Sequence, residues 1–69
     1  MILVTGGTGL LGTHLILALH QMQMPVRAIY RSHIPAIIQD KAEWVAADIL
    51  DVIALEDAMQ GITHVYHTA

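Results

Sequence analysis

Three glycines near the start of the sequence have the spacing of a phosphate-binding turn. Gly6, Gly9 and Gly12 lie in the segment VTGGTGLLGTHL, between a short apolar run and a leucine-rich run. Where a strand passes through such residues into a helix, free backbone N–H groups and the positive end of the helix dipole favour an anion. Gly6 would allow the tight turn, Gly9 would let a diphosphate approach the backbone, and Gly12 would let the helix pack closely on the strands. The segment therefore predicts a dinucleotide-binding site.

A tight turn whose glycines serve packing only is the alternative interpretation of this segment. The spacing differs from the G-x-G-x-x-G form of the dinucleotide motif, and no Lys-Ser or Lys-Thr pair follows, so the segment is not a P-loop. The strand, turn and helix nevertheless come in the order that the motif demands. Thr5 and Thr8 could donate hydroxyl hydrogen bonds either to phosphate or to the turn itself.

An arginine lies where a second contact to the dinucleotide is expected. In nucleotide-binding units of this type, an acidic residue about 20 positions beyond the glycines often holds the ribose hydroxyls of NAD. This sequence has Tyr30, Arg31 and Ser32 there. Because a guanidinium group can form a bidentate pair with a 2′-phosphate, the sequence favours NADP over NAD. A solvated arginine at a strand end is the alternative.

The order of elements that must position these residues predicts a doubly wound, parallel α/β sheet. Apolar or β-branched runs at residues 1–4, 26–31, 44–47 and 64–68 indicate strands. A helix follows the first strand from Leu11 and ends by about Gln23, because Pro25 cannot continue it, and Asp51 can cap a second helix that Gly61 ends. One helical turn is expected around residues 36–39. Strands that alternate with helical segments favour parallel pairing and right-handed crossovers, as in a Rossmann-type fold.

The apolar periodicity of each helix predicts which of its faces packs on the sheet. Leu17 of the first helix is expected on the polar side, where a single exposed leucine needs no explanation. The face predicted for the first helix consists of Leu11, Leu15, Ala18, Leu19 and Met22. The face predicted for the second helix consists of Val52, Ala54, Leu55, Ala58 and Met59.

Size and composition limit the classes of protein that the chain can belong to. It has 69 residues, a hydrophobic fraction of 55%, a charged fraction of 13% and a formal net charge of −3. This length supports one small domain at most, and so few cationic residues argue against nucleic-acid binding. Without cysteine, a secretory leader or a membrane-length apolar run, a cytoplasmic protein is expected. The high apolar fraction predicts burial against a missing remainder of the chain or by self-association.

The histidines and carboxylates give little indication of other chemistry. His14 and His20 are six positions apart on the first predicted helix, and His64 and His67 point to opposite faces of the fourth predicted strand. Neither pair converges, so no metal site is expected. The neighbouring carboxylates of the second helix are expected on its solvated face, and no nucleophile and base are arranged for covalent catalysis.

The same segments resemble the extended short-chain dehydrogenase/reductases, which include NAD(P)-dependent epimerases and dehydratases as well as dihydroflavonol reductase-like and 3β-hydroxysteroid dehydrogenase-like enzymes. TGGTGLLG matches the TGxxGxxG signature, and VRAIYRS is similar to the family's second strand in the version with arginine that goes with NADP. WVAADILD resembles the segment in which an aspartate and the next residue contact adenine, and GITHVYHTA is similar to the fourth strand with its final His-x-Ala element. The resemblance covers the whole chain.

This resemblance implies the NADP(H)-binding portion of an oxidoreductase or epimerase that acts by hydride transfer at a carbonyl or hydroxyl carbon of an unknown small molecule. It also implies that Asp48 and Ile49 contact adenine and that the element from His67 to Ala69 lies near the ribose and nicotinamide. The alternatives are a local backbone cap for Asp48 and a strand histidine satisfied by hydrogen bonds for His67. The residues expected to bind the cofactor are Thr5, Gly6, Gly9, Leu10, Leu11, Gly12, Arg31, Ser32, Asp48, Ile49, His67 and Ala69.

The family's catalytic residues have no counterpart in this sequence. In the family, a YxxxK pair and a serine or threonine lie beyond the fourth strand, whereas Tyr30 here is followed four positions later by Ile34 and Tyr66 is too near Ala69. Residues 1–69 are therefore expected to be the N-terminal part of a dinucleotide-binding domain, without its catalytic and substrate-binding portion and inactive alone. The alternatives are a stand-alone nucleotide-binding or regulatory module and a structural subunit that binds no nucleotide.

Overall fold

Four parallel strands form one sheet in the computed structural model, which describes residues 1–48 and 50–68. The strands are β1 (Ile2–Thr5), β2 (Val26–Tyr30), β3 (Glu43–Ala46) and β4 (His64–His67). The helical segments are α1 (Leu10–Gln21), a 3₁₀ turn (Ala36–Ile38) and α2 (Val52–Ala58). The spatial order is β3-β2-β1-β4. The predicted doubly wound α/β fold is confirmed, and each predicted boundary lies within two residues of the observed one.

The core consists of two apolar clusters, one on each face of the sheet. Ile16 of α1 packs against the cluster that contains Val4, and Ala58 of α2 packs with Leu3 and Ile29 on the other face. Successive residues of a strand point to opposite faces. Because α1 covers one face and α2 the other, all four residues of β1 are buried, as its wholly apolar start predicts.

The buried face of α1 is rotated from the predicted one but shares two residues with it, since Leu19 is buried and Leu15 is half-buried against the core. The buried residues of α1 are Gly12, Ile16 and Leu19. Of the predicted face, Leu11 and Met22 are 68% and 65% exposed, whereas Leu17 packs against the core. The helix has apolar residues on nearly every side, so their spacing does not select a face. The contact of Gly12 with the glycine-rich turn, described below, selects it.

Helix α2 contacts the sheet only through its middle and its last turn. Ala58 is buried and Leu55 is half-buried, but Val52 and Met59 from the predicted face are 65% and 45% exposed. With seven residues, the helix is about 10 Å long, too short for both ends of the predicted stripe to contact the sheet. Its start is as predicted, since the Asp51 carboxylate accepts a hydrogen bond from the Ala54 N–H at 3.1 Å.

Arg27 holds the C-terminal end of α2 and is not available to a ligand. Its side chain is 16% exposed, its Nε lies 3.5 Å from Glu43 Oε1, and its Nη1 donates to the carbonyl oxygens of Ala58 at 2.7 Å and Gln60 at 2.6 Å. Carbonyl groups at a helix C-terminus lack partners within the helix, and a cation there interacts favourably with the dipole. Arg27 therefore has a structural role that its position in a strand does not indicate.

Strand β4 leaves apolar side chains open on both faces of the sheet. It pairs with β1 in the register Leu3 to Val65 and Val4 to Tyr66, yet Val65 and Tyr66 are 46% and 45% exposed. Leu50, in the connection between β3 and α2, is also exposed, at 85%. Exposed apolar residues are therefore present, as the composition predicts.

The residue Gln23, just after α1, has a strained backbone conformation, and its replacement should raise the stability of the protein. Gln23 has a φ of 59°, a left-handed conformation that costs a non-glycine residue about 1 to 2 kcal/mol. After allowance for the larger entropy of glycine in the unfolded chain, we expect Gln23→Gly to raise the free energy of unfolding by about 0.5 to 1 kcal/mol. Urea denaturation measures the change.

The matched control for this substitution is Gly61→Ala. Gly61 has a φ of 76°, and a Cβ there meets no atom within 4 Å, so the change acts through the backbone alone. We expect it to destabilise the protein by about 1 kcal/mol. A Gln23→Gly variant less stable than the parent would contradict the first expectation.

Candidate functional site

The turn between β1 and α1 is closed by contacts among its own backbone atoms. Gly6 has a φ of 70°, which confirms that a glycine is needed at the tight turn. The Gly9 N–H donates to the Gly6 carbonyl oxygen at 3.1 Å. A Cβ on Gly12 would lie 2.2 Å from that same oxygen and 2.7 Å from Gly7 Cα. Gly12 therefore lets the helix approach the turn itself, not the strands as the motif predicts.

The first turn of α1 is open to an anion. The N-cap residue is Gly9; within the described part of the chain no side chain caps the first turn, and the turn holds no acidic residue. The N–H groups at a helix start lack partners within the helix and carry a partial positive charge. The start of α2 differs, because Asp51 caps it. Of the two α-helices, α1 is thus the one whose start can accept a phosphate.

Gly7 is a residue of the glycine turn for which the sequence pattern predicted no role. A Cβ there would lie 2.9 Å from Ile16 Cδ1 and 3.5 Å from Trp44 Cη2. Gly7 also accepts a hydrogen bond at its carbonyl oxygen from the Thr13 hydroxyl, at 3.2 Å. It joins the turn to the core and to α1. Only its position next to Gly6 could have indicated it.

A cleft of 410 Å³ opens beside this turn, at the carboxyl ends of β1, β2 and β3. Crevices at the carboxyl ends of parallel strands are the usual ligand sites of doubly wound sheets. Its lining combines the glycine turn, the end of β2 and the end of β3. The lining residues are Thr5, Gly6, Thr8, Ile29, Tyr30, Arg31, Ser32, His33, Ala47 and Asp48.

Arg31 and Asp48 face each other in this cleft. Arg31 Nη1 lies 4.0 Å from Asp48 Oδ2, and the two side chains are 79% and 44% exposed. An exposed ion pair of this length contributes only about 0 to 1 kcal/mol, so the guanidinium is held loosely. Asp48 Oδ1 also accepts a hydrogen bond from the Leu50 N–H at 3.0 Å. The local cap is therefore present, and it leaves the other carboxylate oxygen to the cleft.

Thr5 connects the cleft to β4. Its hydroxyl group is hydrogen bonded to His67 Nδ1, and its carbonyl oxygen accepts from both the N–H and the hydroxyl of Thr68, at 3.1 and 2.7 Å. Thr5 is 6% exposed. The Thr5 hydroxyl therefore has a partner in β4, and His67 contacts the site through Thr5.

The structure brings five of the predicted cofactor residues into one cleft: Thr5, Gly6, Arg31, Ser32 and Asp48. Gly9 and Gly12 form the adjoining helix start, while Leu10 and Leu11 are 79% and 68% exposed at its outer side. Ile49 and Ala69 lie outside the described residues. Sequence reasoning missed the lining residues Ile29, Tyr30, His33 and Ala47; their nearness to strand ends was the available signal.

A second cleft lies at the opposite edge of the sheet, where β2 begins and α1 ends. It includes His20, Pro25 and Lys41 and has no glycine turn. A hydrogen bond from Lys41, together with its positive charge, lowers the pKa of the neighbouring Asp40 carboxyl.

Within the two described ranges, no three His, Asp or Glu side chains are grouped so that they could hold a metal ion. None of the helices described has the length and apolarity needed to cross a membrane.

Comparisons with known proteins agree with this geometry. The profile of the NAD dependent epimerase/dehydratase family matches residues 2–69. The chain is 39% identical over 69 residues to sterol demethylase protein B of Methylococcus capsulatus, a match that covers 97% of this chain and 21% of that protein. The chain therefore spans about a fifth of the length of this relative.

Solved structures match along the whole chain. A short-chain dehydrogenase/reductase superfamily protein from Agrobacterium tumefaciens, determined with bound NAD, has a TM-score of 0.84 and 33% identity, over 100% of this chain and 20% of that one. A nucleoside-diphosphate-sugar epimerase from Pseudomonas aeruginosa has a TM-score of 0.81 and 31% identity, over 97% and 23%. Because the family profile covers nearly every residue and the turn, sheet order and cleft agree with it, the chain belongs to the NAD dependent epimerase/dehydratase family of extended short-chain dehydrogenase/reductases.

Proposed function

We propose that this chain is the cofactor-binding part of an oxidoreductase or epimerase and that it prefers NADP(H) to NAD(H). The observation that carries the proposal is the placement of Arg31 and Ser32 in the cleft beside the Gly6 turn. The family is NAD dependent. The preference for the phosphorylated cofactor is proposed for this chain in particular, on the basis of its own residues.

The diphosphate would lie on the start of α1. The first turn of that helix has no side-chain cap, and Gly9, with backbone dihedrals of −80° and 175°, places no side chain over it. A Cβ added at Gly9 would meet nothing closer than the Gly6 carbonyl oxygen at 3.5 Å, so packing within the protein does not require glycine at this position. Close approach of a ligand to the backbone supplies the reason for a glycine there.

The adenosine half would occupy the cleft between the ends of β2 and β3. Arg31 is a cation on the wall of this cleft, and among the described residues its side chain is paired with Asp48 alone, at 4.0 Å. A 2′-phosphate offers the guanidinium two or three acceptor oxygens and a charge near −2, and charge-assisted hydrogen bonds of this kind are the strong ones. The cost of giving up the exposed pair is small beside that gain.

The bound nicotinamide would supply hydride transfer, and the protein would supply its orientation. The substrate is expected to be a small molecule with a carbonyl or hydroxyl carbon. Thr5 and His67, at the ends of the paired strands β1 and β4, would border the nicotinamide ribose, as the resemblance implies. A nucleotide-binding module without catalysis would use the same cleft. The two functions differ in turnover: a protein that contains this chain and the family's YxxxK pair should catalyse hydride transfer, whereas a binding module should bind the cofactor without turnover.

Titration of the purified protein with NADPH and NADH tests the proposal directly. We expect NADPH to bind about 10- to 100-fold more tightly, the range that one charge-assisted contact gives. Equal affinity for the two cofactors would overturn the preference for NADP(H). Absence of binding by either one, in a protein shown to be folded by circular dichroism, would overturn the cofactor site itself.

Asp48→Asn is expected to increase the preference for NADPH. Asparagine keeps the acceptor that the Leu50 N–H uses but removes the charge that competes for Arg31. We expect the ratio of NADH to NADPH dissociation constants to rise about 2- to 5-fold, in line with a surface pair of up to about 1 kcal/mol. The ratio is the proper readout because a lost adenine contact would change both constants equally. An unchanged or lower ratio would contradict the competition.

A further inference from the structure

We infer that His33 is a second, proton-dependent contact for the 2′-phosphate, so that the contribution of His33 to the preference for NADPH over NADH increases as the pH falls. The inference rests on the proposed function, because it concerns the same cleft. It assigns a specificity-determining role to a residue that the sequence left without one.

His33 lies on the wall of the cleft that contains Arg31 and Ser32. Arg31, Ser32 and His33 are consecutive and exposed, and they follow directly after β2 ends at Tyr30. Among the described residues, no side chain is hydrogen bonded to the His33 ring. The imidazole is therefore available to an incoming anion.

The segment that carries His33 is held at both ends. On one side β2 pairs Tyr30 with Ala46 of β3. On the other side Pro35 caps the 3₁₀ turn, Ile38 is fully buried, and the Trp44 indole N–H donates to the Ile38 carbonyl oxygen at 3.2 Å. The connection between these anchors is short, so His33 stays near the rim of the cleft.

The charges that line the cleft show why one proton matters. The titratable or charged side chains on its wall are Tyr30, Arg31, His33 and Asp48. With a neutral imidazole, Arg31 and Asp48 cancel and the wall carries no net charge; with a protonated imidazole it carries +1. Imidazole is the side chain that ordinarily changes charge between pH 5 and 8. The added charge would act on the 2′-phosphate and hardly on the uncharged ribose hydroxyl of NADH.

The 2′-phosphate itself takes up a proton in the same pH range, with a second pKa of about 6, and this weakens NADPH binding as the pH falls. The effect is the same for any variant of the protein, so it cancels when two variants are compared at one pH. The test therefore compares the parent with His33→Asn, which keeps the size and a hydrogen-bonding group but cannot become charged. Dissociation constants for NADPH and NADH are measured at pH 8 and pH 6 for the parent, His33→Asn and Arg31→Ala. We expect the NADH-to-NADPH ratio of the parent to exceed that of His33→Asn by about 3- to 10-fold at pH 6 and by less than 2-fold at pH 8.

The outcomes separate this inference from the proposed function. If the parent and His33→Asn have the same ratio at both pH values while NADPH is still preferred and Arg31→Ala removes the preference, the role of His33 is overturned and the cofactor assignment stands. If neither pH shows a preference for NADPH and Arg31→Ala changes nothing, the proposed function fails as well.

NMR titration gives a second readout that does not depend on affinity. The ring resonances of His33 should titrate at higher pH in the presence of adenosine 2′,5′-bisphosphate than with adenosine 5′-phosphate, because only the first probe carries the 2′-phosphate. His20 lies in the cleft at the opposite edge of the sheet and serves as the control. Equal His33 titration with both probes would overturn the contact.

Discussion

Gly12→Ala is expected to destabilise the protein by about 3 kcal/mol and to abolish binding of both NADPH and NADH. The new methyl group would lie 2.2 Å from the Gly6 carbonyl oxygen and 2.7 Å from Gly7 Cα. Both are backbone atoms, so no side chain can rotate away, and either the turn or the start of α1 has to move. Overpacking costs typically about 1 to 3 kcal/mol, and a contact with fixed backbone belongs at the upper end of that range.

The matched variant for this experiment is Gly9→Ala. Its Cβ would be 3.5 Å from the same oxygen, an ordinary contact, so we expect stability within about 1 kcal/mol of the parent. The affinity for both cofactors should nevertheless fall, because the added methyl group stands where the diphosphate approaches. Urea denaturation and cofactor titration measure the two effects. A Gly12→Ala variant as stable as the parent would refute the close packing, and unchanged affinity in Gly9→Ala would refute the phosphate site.

Arg31→Ala is expected to weaken NADPH binding about 10- to 100-fold and to change NADH binding less than 2-fold. The side chain is 79% exposed, so its removal should leave the fold intact and the loss should reflect the ligand contact alone. Hydrogen bonds to charged groups contribute about 1.5 to 3 kcal/mol, and each 1.36 kcal/mol corresponds to a factor of ten. Titration of the variant with each cofactor, beside its thermal unfolding, measures the effect.

Two further variants define what the arginine contributes. Arg31→Lys keeps the charge but not the planar, bidentate group, so its NADPH affinity should lie between those of the parent and Arg31→Ala. Lys41→Ala removes a cation from the cleft at the other edge of the sheet and should leave the ratio of the two dissociation constants unchanged. Equal loss of NADPH and NADH affinity in Arg31→Ala would contradict a contact to the 2′-phosphate.

The order of strands and helices along the chain, the glycine turn and the cap of α2 could be predicted because each depends on a local signal. A wholly apolar run before Gly6 indicates a buried strand, and Asp51 before an apolar helix indicates an N-cap. Gly61 at a helix end indicates a left-handed conformation, which its φ of 76° confirms. Such signals need no knowledge of distant parts of the chain.

The features that could not be predicted depend on three-dimensional contacts that the local sequence pattern does not contain. The apolar residues of α1 surround the helix, so only the approach of Gly12 to Gly6 determines which side is buried. The partners of Arg27, the carbonyl groups of Ala58 and Gln60, are more than 30 residues away. In the site, the glycines and Arg31 were found from spacing, whereas His33 became a candidate only when the cleft brought it beside Arg31.

The position of β1 at the centre of the sheet has a consequence for how the chain folds during synthesis. Thr5 and its partner His67 are 62 positions apart, so β1 is made first but cannot pair on its β4 side until nearly the whole sequence exists. At a translation rate of about 5 to 20 residues per second, that delay is roughly 3 to 12 s. During this time one edge of an apolar strand has no partner, and parallel pairs with such separations form slowly. We therefore expect this part of the nascent chain to need protection by chaperones until β4 has been made.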